Sequence, residues 1–248
     1  MIITPFSPLF FNTAHSTSGQ DCPFTQFFAD SDTILLQVIR TPEEPCLICE
    51  ICSIDNVQLI EAESFILDNG NYVDCYEVCN LAIGCYYIVL GDRTSEIFEI
   101  ISDSRILEKS VLIEYSPANN SIRTDVVPVL NGVRKYFAFR VPGGFRDSDW
   151  DFTVDSEQFT TQDADIVQLY ATESTQKSLT VGWGQGVPVW FGQLINRLLT
   201  CKYVYIDGHR YARYESSVPE KEQTLTGVNS FVFTQKLQEI NHLEPHKP

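Results

Sequence analysis

Hydrophobic positions follow two different rhythms along this chain. From Thr33 to Ile101 they come in short runs: Thr33–Arg40, Cys46–Ser53, Val57–Leu67, Tyr72–Cys79, Cys85–Leu90 and Glu96–Ile101. Thr41-Pro42, Pro45, Asp55-Asn56, Asp68-Asn69-Gly70 and Gly91-Asp92 punctuate them as turns. Strands at this spacing predict an all-β sandwich. After Pro188 the rhythm becomes helical. At ~100° per residue, Trp190, Phe191, Leu194, Ile195, Leu198 and Leu199 fall within about half a turn of the axis. Gly192, Gln193, Asn196 and Arg197 fill the other half. Pro188 suits a first helical turn, where its missing N–H is no loss. The pattern predicts an amphipathic helix of about three turns with a wide face to bury. Lys202–Ile206 and His209–Tyr214 then flank Asp207-Gly208, a dipeptide suited to a type I′ hairpin turn. A helix that feeds a hairpin needs a sheet to lie on.

The remaining segments read around these anchors. Val111–Tyr115 and Tyr136–Val141 are expected strands, the second ending in a turn at Pro142-Gly143-Gly144. Val167–Thr172, Ser178–Gly182 and Ser230–Ile240 follow, the last with Phe231, Phe233, Gln235, Leu237 and Glu239 on one side. Ser116–Asn131 reads as a long mobile loop, Arg146–Asp165 as an irregular acidic stretch, Ser216–Gly227 as a polar loop and Asn241–Pro248 as a disordered tail. Phe6, Phe10, Phe11, Phe24, Phe27 and Phe28 are too many aromatics for a free leader and are expected to pack on a neighbouring domain or another chain. The fold class is therefore mainly β with minor α: an N-terminal β-sandwich, then a β-rich domain with one helix packed on a sheet. Gly84–Leu90 resembles the late strand of immunoglobulin-like domains, where a tyrosine often sits near a corner, and that resemblance implies an immunoglobulin-like sandwich.

Charge sharpens the division. Of 248 residues, 1–116 hold 18 acids and 4 bases, a net of −14, while 117–248 hold 15 acids and 13 bases, a net of −2. That step, with the polar connection Ser102–Lys109, places domains at 1–107 and 108–248 and predicts that a fragment from Lys109 keeps most of its β-structure. An acidic first half argues against specific nucleic-acid binding. The start MIITPFSPLFF has no basic leader and carries two prolines, unlike a signal peptide. No run approaches the ~20 apolar residues of a membrane span. A cytosolic site of synthesis is expected, with the eight cysteines as thiols.

Candidate chemistry changes this picture little. Cys46-x-x-Cys49-x-x-Cys52 has the spacing of a zinc site, but its filler, Leu47-Ile48 and Glu50-Ile51, is strand-like, and no second knuckle completes it. Core packing and no metal are expected. Asp147-x-Asp149-x-Asp151 opens like a calcium loop, then offers Phe152 and Gln158 where Gly and Glu are needed. Gly182-Trp183-Gly184-Gln185-Gly186 precedes the helix but lacks the Lys-Ser/Thr ending of a phosphate loop. The histidines His15, His209, His242 and His246 form no pattern with a nucleophile, and no Gly-x-Ser-x-Gly elbow occurs. No catalytic, cofactor-binding or metal residue is predicted, and the chain reads as a non-enzyme.

One resemblance adds to this. Ser110–Ser116, Phe139-Arg140-Val141-Pro142-Gly143-Gly144-Phe145, the Trp190 helix, Val204-Tyr205-Ile206-Asp207-Gly208 and Pro219-Glu220-Lys221, with Gly84–Val89 and Ser95-Glu96-Ile97-Phe98 before them, resemble structural tail proteins of tailed phages of Bacteroidetes, including crAss-like phages. The likeness spans residues 80–240 and rests on strand and turn words. It implies a virion protein of the tail or portal-proximal collar, assembled in the host cytoplasm into a homo-oligomeric ring, hub or adaptor. Its partners would be itself and adjacent tail or portal proteins, with no membrane and no specific nucleic-acid binding, and a ring lumen would leave room for genome passage. The alternatives are a carbohydrate- or receptor-binding β module, for which Trp150 and Trp183 are candidates, and a tail-associated hydrolase.

Overall fold

The computed structural model describes residues 1–12, 24–182, 184, 186–214, 220–223 and 230–240. Among the described residues the chain is mainly β, with two short helices. The first half carries β1 (Ile2–Ile3), β2 (Phe11–Asn12), β3 (Gln26–Ala29), β4 (Ile34–Arg40), β5 (Cys49–Cys52), β6 (Val57–Ile60), β7 (Glu63–Ile66), β8 (Tyr72–Val78), β9 (Gly84–Leu90), β10 (Arg93–Ser95) and β11 (Phe98–Ile101). One sheet runs β1-β4-β8-β7. The other is built on β9, with β11 and β10 on one edge and β5, then β6, on the opposite edge. β3 joins β11 in parallel, the other pairings being antiparallel. The run Val57–Leu67, expected as one strand, is two: β6 and β7 belong to different sheets.

The two sheets enclose a core of Ile34, Leu36, Val38, Tyr76 and Val78 from one side and Cys49, Ile51, Ile88, Leu90 and Phe98 from the other. β4 explains its own sequence. ILLQVIR is apolar almost throughout, not alternating, because every residue of the strand is buried. Ile34, Leu36 and Val38 enter the sandwich core, while Leu35 and Ile39 enter a second core on the opposite face.

That second core belongs mostly to the C-terminal half. After α1 (Ser104–Leu107), N-capped by Asp103, come β12 (Ser110–Ser116), β13 (Val129–Leu130), β14 (Val133–Arg134), β15 (Phe137–Thr160), β16 (Ile166–Val181), α2 (Val189–Leu198), β17 (Tyr203–Ile206), β18 (His209–Arg213), β19 (Glu220–Gln223) and β20 (Phe231–Glu239). Strands β16-β15-β12-β17-β18-β20 pair in that order, and β20 pairs back onto β16. The sheet thus closes into a six-stranded antiparallel cylinder, with β19 on a free stretch of β20. On β20, Phe231, Phe233, Gln235 and Leu237 are buried, as its alternation predicts.

α2 lies on the inner face of this sheet. Phe191 and Trp190 pack on Phe139, with ring centroids 4.9 and 5.9 Å apart. A Cβ on Gly192 would come within 2.3 Å of the Phe233 ring, so only glycine admits this approach. The hairpin after it turns at Asp207 and Gly208, φ 48° and 83°, the positive values of a type I′ turn. Asp207 Oδ1 also accepts a hydrogen bond from Leu112 N at 3.0 Å, fixing the turn to β12.

The halves are joined through buried contacts. Phe6 packs on Tyr115 and Phe137, Phe10 on Trp190 and Phe24 on Phe191. Much of the Phe-rich leader therefore fills the second core. Arg140 donates to Asp32 from Nε and Nη2 at 2.6 and 2.8 Å. The Gln37 amide donates to Val127 O and accepts from Val127 N, at 2.9 and 3.1 Å. The Ser116–Asn131 stretch, expected as a mobile loop, is not one: Ser116 ends β12, and the rest is held by these bonds and by burial of Val126, Val127 and Leu130.

Candidate assembly interface

The stretch expected to be irregular, residues 146–165, is the outer part of the longest strand. β15 does not end at Pro142-Gly143-Gly144. It bulges between Phe145 and Trp150, runs to Thr160, turns at 161–165 and returns as β16. Within the cylinder β15 pairs with β12 only as far as Pro142, and β16 pairs with β20 only from Gln176 onward. Beyond that level the two strands pair with each other alone. Asp151 to Thr160 extends about 33 Å at roughly 3.3 Å per residue. A two-stranded ribbon of this length projects from the body as an arm.

The register assigns each side chain to a face, since directly opposed residues point the same way. Leu179 and Leu237 are buried in the cylinder core, and Lys177 follows Leu179 on the same face. Trp150 is opposite Lys177, Phe152 opposite Thr175 and Val154 opposite Glu173. The core-facing side of the sheet thus continues past the core as an exposed apolar stripe, with Phe152 75% and Val154 65% accessible. The other face is polar near the body: Thr153 and Ser174 hydroxyls lie 2.6 Å apart, and Gln176 donates to Thr153 Oγ1 at 3.2 Å. A second irregularity between Glu157 and Gln158 precedes a tip where Phe159, Ile166, Val167, Leu169 and Tyr170 are all exposed.

Lys177 fixes the neck of the arm. Its Nζ lies 4.4 Å from the Trp150 ring centroid and donates to Glu239 Oε2 at 2.8 Å and Tyr211 Oη at 3.2 Å. Burial works against its charge, but the bonds to Glu239 and Tyr211 prevail and raise its pKa. The ammonium therefore stays charged, and the aromatic end of the core closes around it.

A second surface lies at the opposite end of the cylinder. Around the Tyr203 ring stand Arg134, Arg210 and Lys202, with charged groups 4.2, 5.1 and 5.4 Å from its centroid. Tyr136 packs edge-on against Tyr205 beside them. Arg134 is held by carbonyls, donating to Pro117 O at 2.5 Å and Ala118 O at 2.9 Å. Elsewhere Arg40 is joined to Asp74, Lys135 to Glu77, Arg140 to Asp32 and Lys177 to Glu239.

The residues singled out for chemistry are scattered. Cys49 is buried in the sandwich core, Cys52 is buried near its outer face and Cys46 is exposed, 3.8 Å from Ser64 Oγ. Among the described residues no cluster of three or more His, Cys, Asp or Glu is arranged to hold a metal ion. Asp151 is exposed on the arm, 4.0 Å from Lys236, while the Asp147 and Asp149 side chains lie outside the described residues. So do Trp183, Gln185, His15, His242 and His246. His209 lies 3.4 Å from Glu239. No described helix is long and apolar enough to cross a membrane. Comparison with known protein families, curated proteins and solved structures gives no match to this chain.

Proposed function

We propose that this protein is a structural subunit of a bacteriophage virion, in the tail or portal-proximal collar, that works by assembling into a homo-oligomeric ring or adaptor and catalyses no reaction. The arm supports the assembly part of this reading, and the resemblance to phage tail proteins supplies the virion part. Two strands that pair only with each other are marginal in water. Apolar side chains exposed along both strands and at the tip mark a surface that is covered in the working state. Assembly supplies the cover, and a ring of identical subunits needs two different patches on each. The arm and the Tyr203 surface are two such patches.

The first half fits the same reading as an immunoglobulin-like sandwich that presents or spaces the cylinder. Two features favour that assignment. Strand pairing follows the immunoglobulin order, with β1, β4, β8 and β7 in one sheet and β6, β5, β9 and β11 in the other. Tyr86, early in β9, donates its hydroxyl back to Ala82 O at 2.9 Å, the geometry of a tyrosine corner.

Electron microscopy and mass measurement of the purified protein test the proposal. Closed particles with a mass that is a fixed multiple of the 28.2 kDa chain are expected. A protein that stays monomeric at tens of micromolar and binds immobilised glycans supports the receptor-binding alternative instead.

A further inference from the structure

We infer that the acidic, apolar arm of one subunit docks on the Arg134–Lys202–Arg210 surface of another copy, in a head-to-tail contact. This rests on the assembly reading above and names the two surfaces that meet.

Charge complementarity is the first argument. Residues 151–175 contain six acids, Asp151, Asp155, Glu157, Asp163, Asp165 and Glu173, and no lysine or arginine. An arm so charged is repelled by residues 1–116, which carry a net of −14. The Tyr203 surface offers the opposite. Three cations converge on one aromatic ring, and among the described residues neither Arg134 nor Lys202 has a carboxylate partner. The two surfaces also correspond in kind. Tyrosine rings faced by guanidinium groups accept apolar and aromatic side chains on their open surface, and the cations around them take carboxylates. The arm presents both kinds: Phe152 and Val154 exposed on one face with Glu173 opposite Val154, and Glu157 opposite the exposed Tyr170 on the other.

Register supplies the second argument. β15 enters the cylinder at Phe137, opposite Tyr115, and passes Ser110 at Pro142 before the arm begins. Tyr203 pairs with Ser116, at the Phe137 end. The cationic surface and the arm therefore sit at opposite ends of the same strands. One subunit cannot satisfy its own arm, because the ribbon leaves in the direction away from the surface. A second copy can receive the arm on its own cationic surface, and it then offers its own arm to a third. Such a contact uses unlike patches and forms a ring when the rotation between neighbours closes.

Swapping charges on each surface separates this contact from any other. The arm variant is E157K with D165K, and the patch variant is K202E with R210E. Each alone is expected to associate at least about tenfold more weakly than the parent, the factor expected from losing one well-placed charge pair. Their equimolar mixture is expected to assemble, because the basic arm then meets an acidic patch and the acidic arm meets a basic one. Melting curves matching the parent show that both variants are folded. If both variants assemble like the parent, or if the folded variants stay apart when mixed, the contact is overturned. A parent that does not self-associate overturns the assembly reading itself. Release of dye from neutral lipid vesicles that requires the arm, without self-association, assigns the arm to a membrane and overturns the contact as well.

Discussion

Gln37 sits on β4 between two apolar cores, fully buried, and both ends of its amide are used on Val127. Leucine at this position keeps the bulk and removes the bonds. The Val127 N–H and C=O would then be buried without partners, at about 1–3 kcal/mol each. Gln37→Leu is expected to lower the unfolding midpoint in urea, although it makes the strand more apolar; an unchanged midpoint counts against this account. The cysteines divide on the same scale. Burial pushes the thiols of Cys49, Cys75 and Cys201 from an ordinary 9 up to about 12. Below pH 9 both folded and unfolded chains keep these protons. Above it the unfolded chain releases them while the folded chain holds them, so stability falls as pH climbs from about 9 to 12. At neutral pH, alkylation of the native protein read by mass spectrometry is expected to mark the exposed Cys46, Cys79 and Cys85 and to spare Cys49 and Cys75.

At the scale of elements, α2 is a core element and the arm is not. Leu194 is 3% exposed within the core that α2 shares with Phe139 and Phe233. Leu194→Ala should cost ~2–5 kcal/mol and lower the melting temperature of the monomer itself. Replacing 151–175 by a tight turn removes only strands that pair with each other, so the melting temperature is expected to hold while self-association is lost. The same distinction decides what could be read in advance. α2, the Asp207-Gly208 hairpin and β20 each bury one face, and burial writes a period into the sequence. The arm buries neither face beyond its neck. Its acids and apolar residues follow no single template, and Gly143-Gly144 looks like a turn when it is a place of close strand approach. A Cβ at Gly143 would lie 2.1 Å from Thr180 O. The cationic surface was equally hidden, because Arg134 comes from β14, far in sequence from the β17–β18 hairpin that holds Arg210 next to Lys202, and only the tertiary fold sets it over the Tyr203 ring.

At the scale of the molecule, the β1-β4-β8-β7 sheet is a shared wall, with the sandwich core on one face and the cylinder core on the other. The backbone pairings of the cylinder all fall within residues 110–239, but its core also takes Phe6, Leu35, Ile39 and Val73. A fragment beginning at Lys109 is expected to keep a β-type circular dichroism spectrum and to melt below the full chain, since it exposes that part of its core to water. Asp32→Ala leaves Arg140 partly buried and uncompensated, and should cost about 3–5 kcal/mol in the full chain.

The closure of the cylinder by β20 also sets an order in time. The other five strands of the barrel precede β20 in the chain, and β20 pairs with both β16 and β18. A ribosome releasing residues from the N-terminal end therefore delivers the sandwich first, while β16 and β18 wait with open edges for residues 231–239. These pairings are distant in sequence and slow to form. The arm, by contrast, is a local hairpin that can form as soon as its strands emerge. A nascent subunit holds out its acidic hook before the cylinder that anchors it is complete, and secure attachment to a neighbour must wait until translation has passed β20.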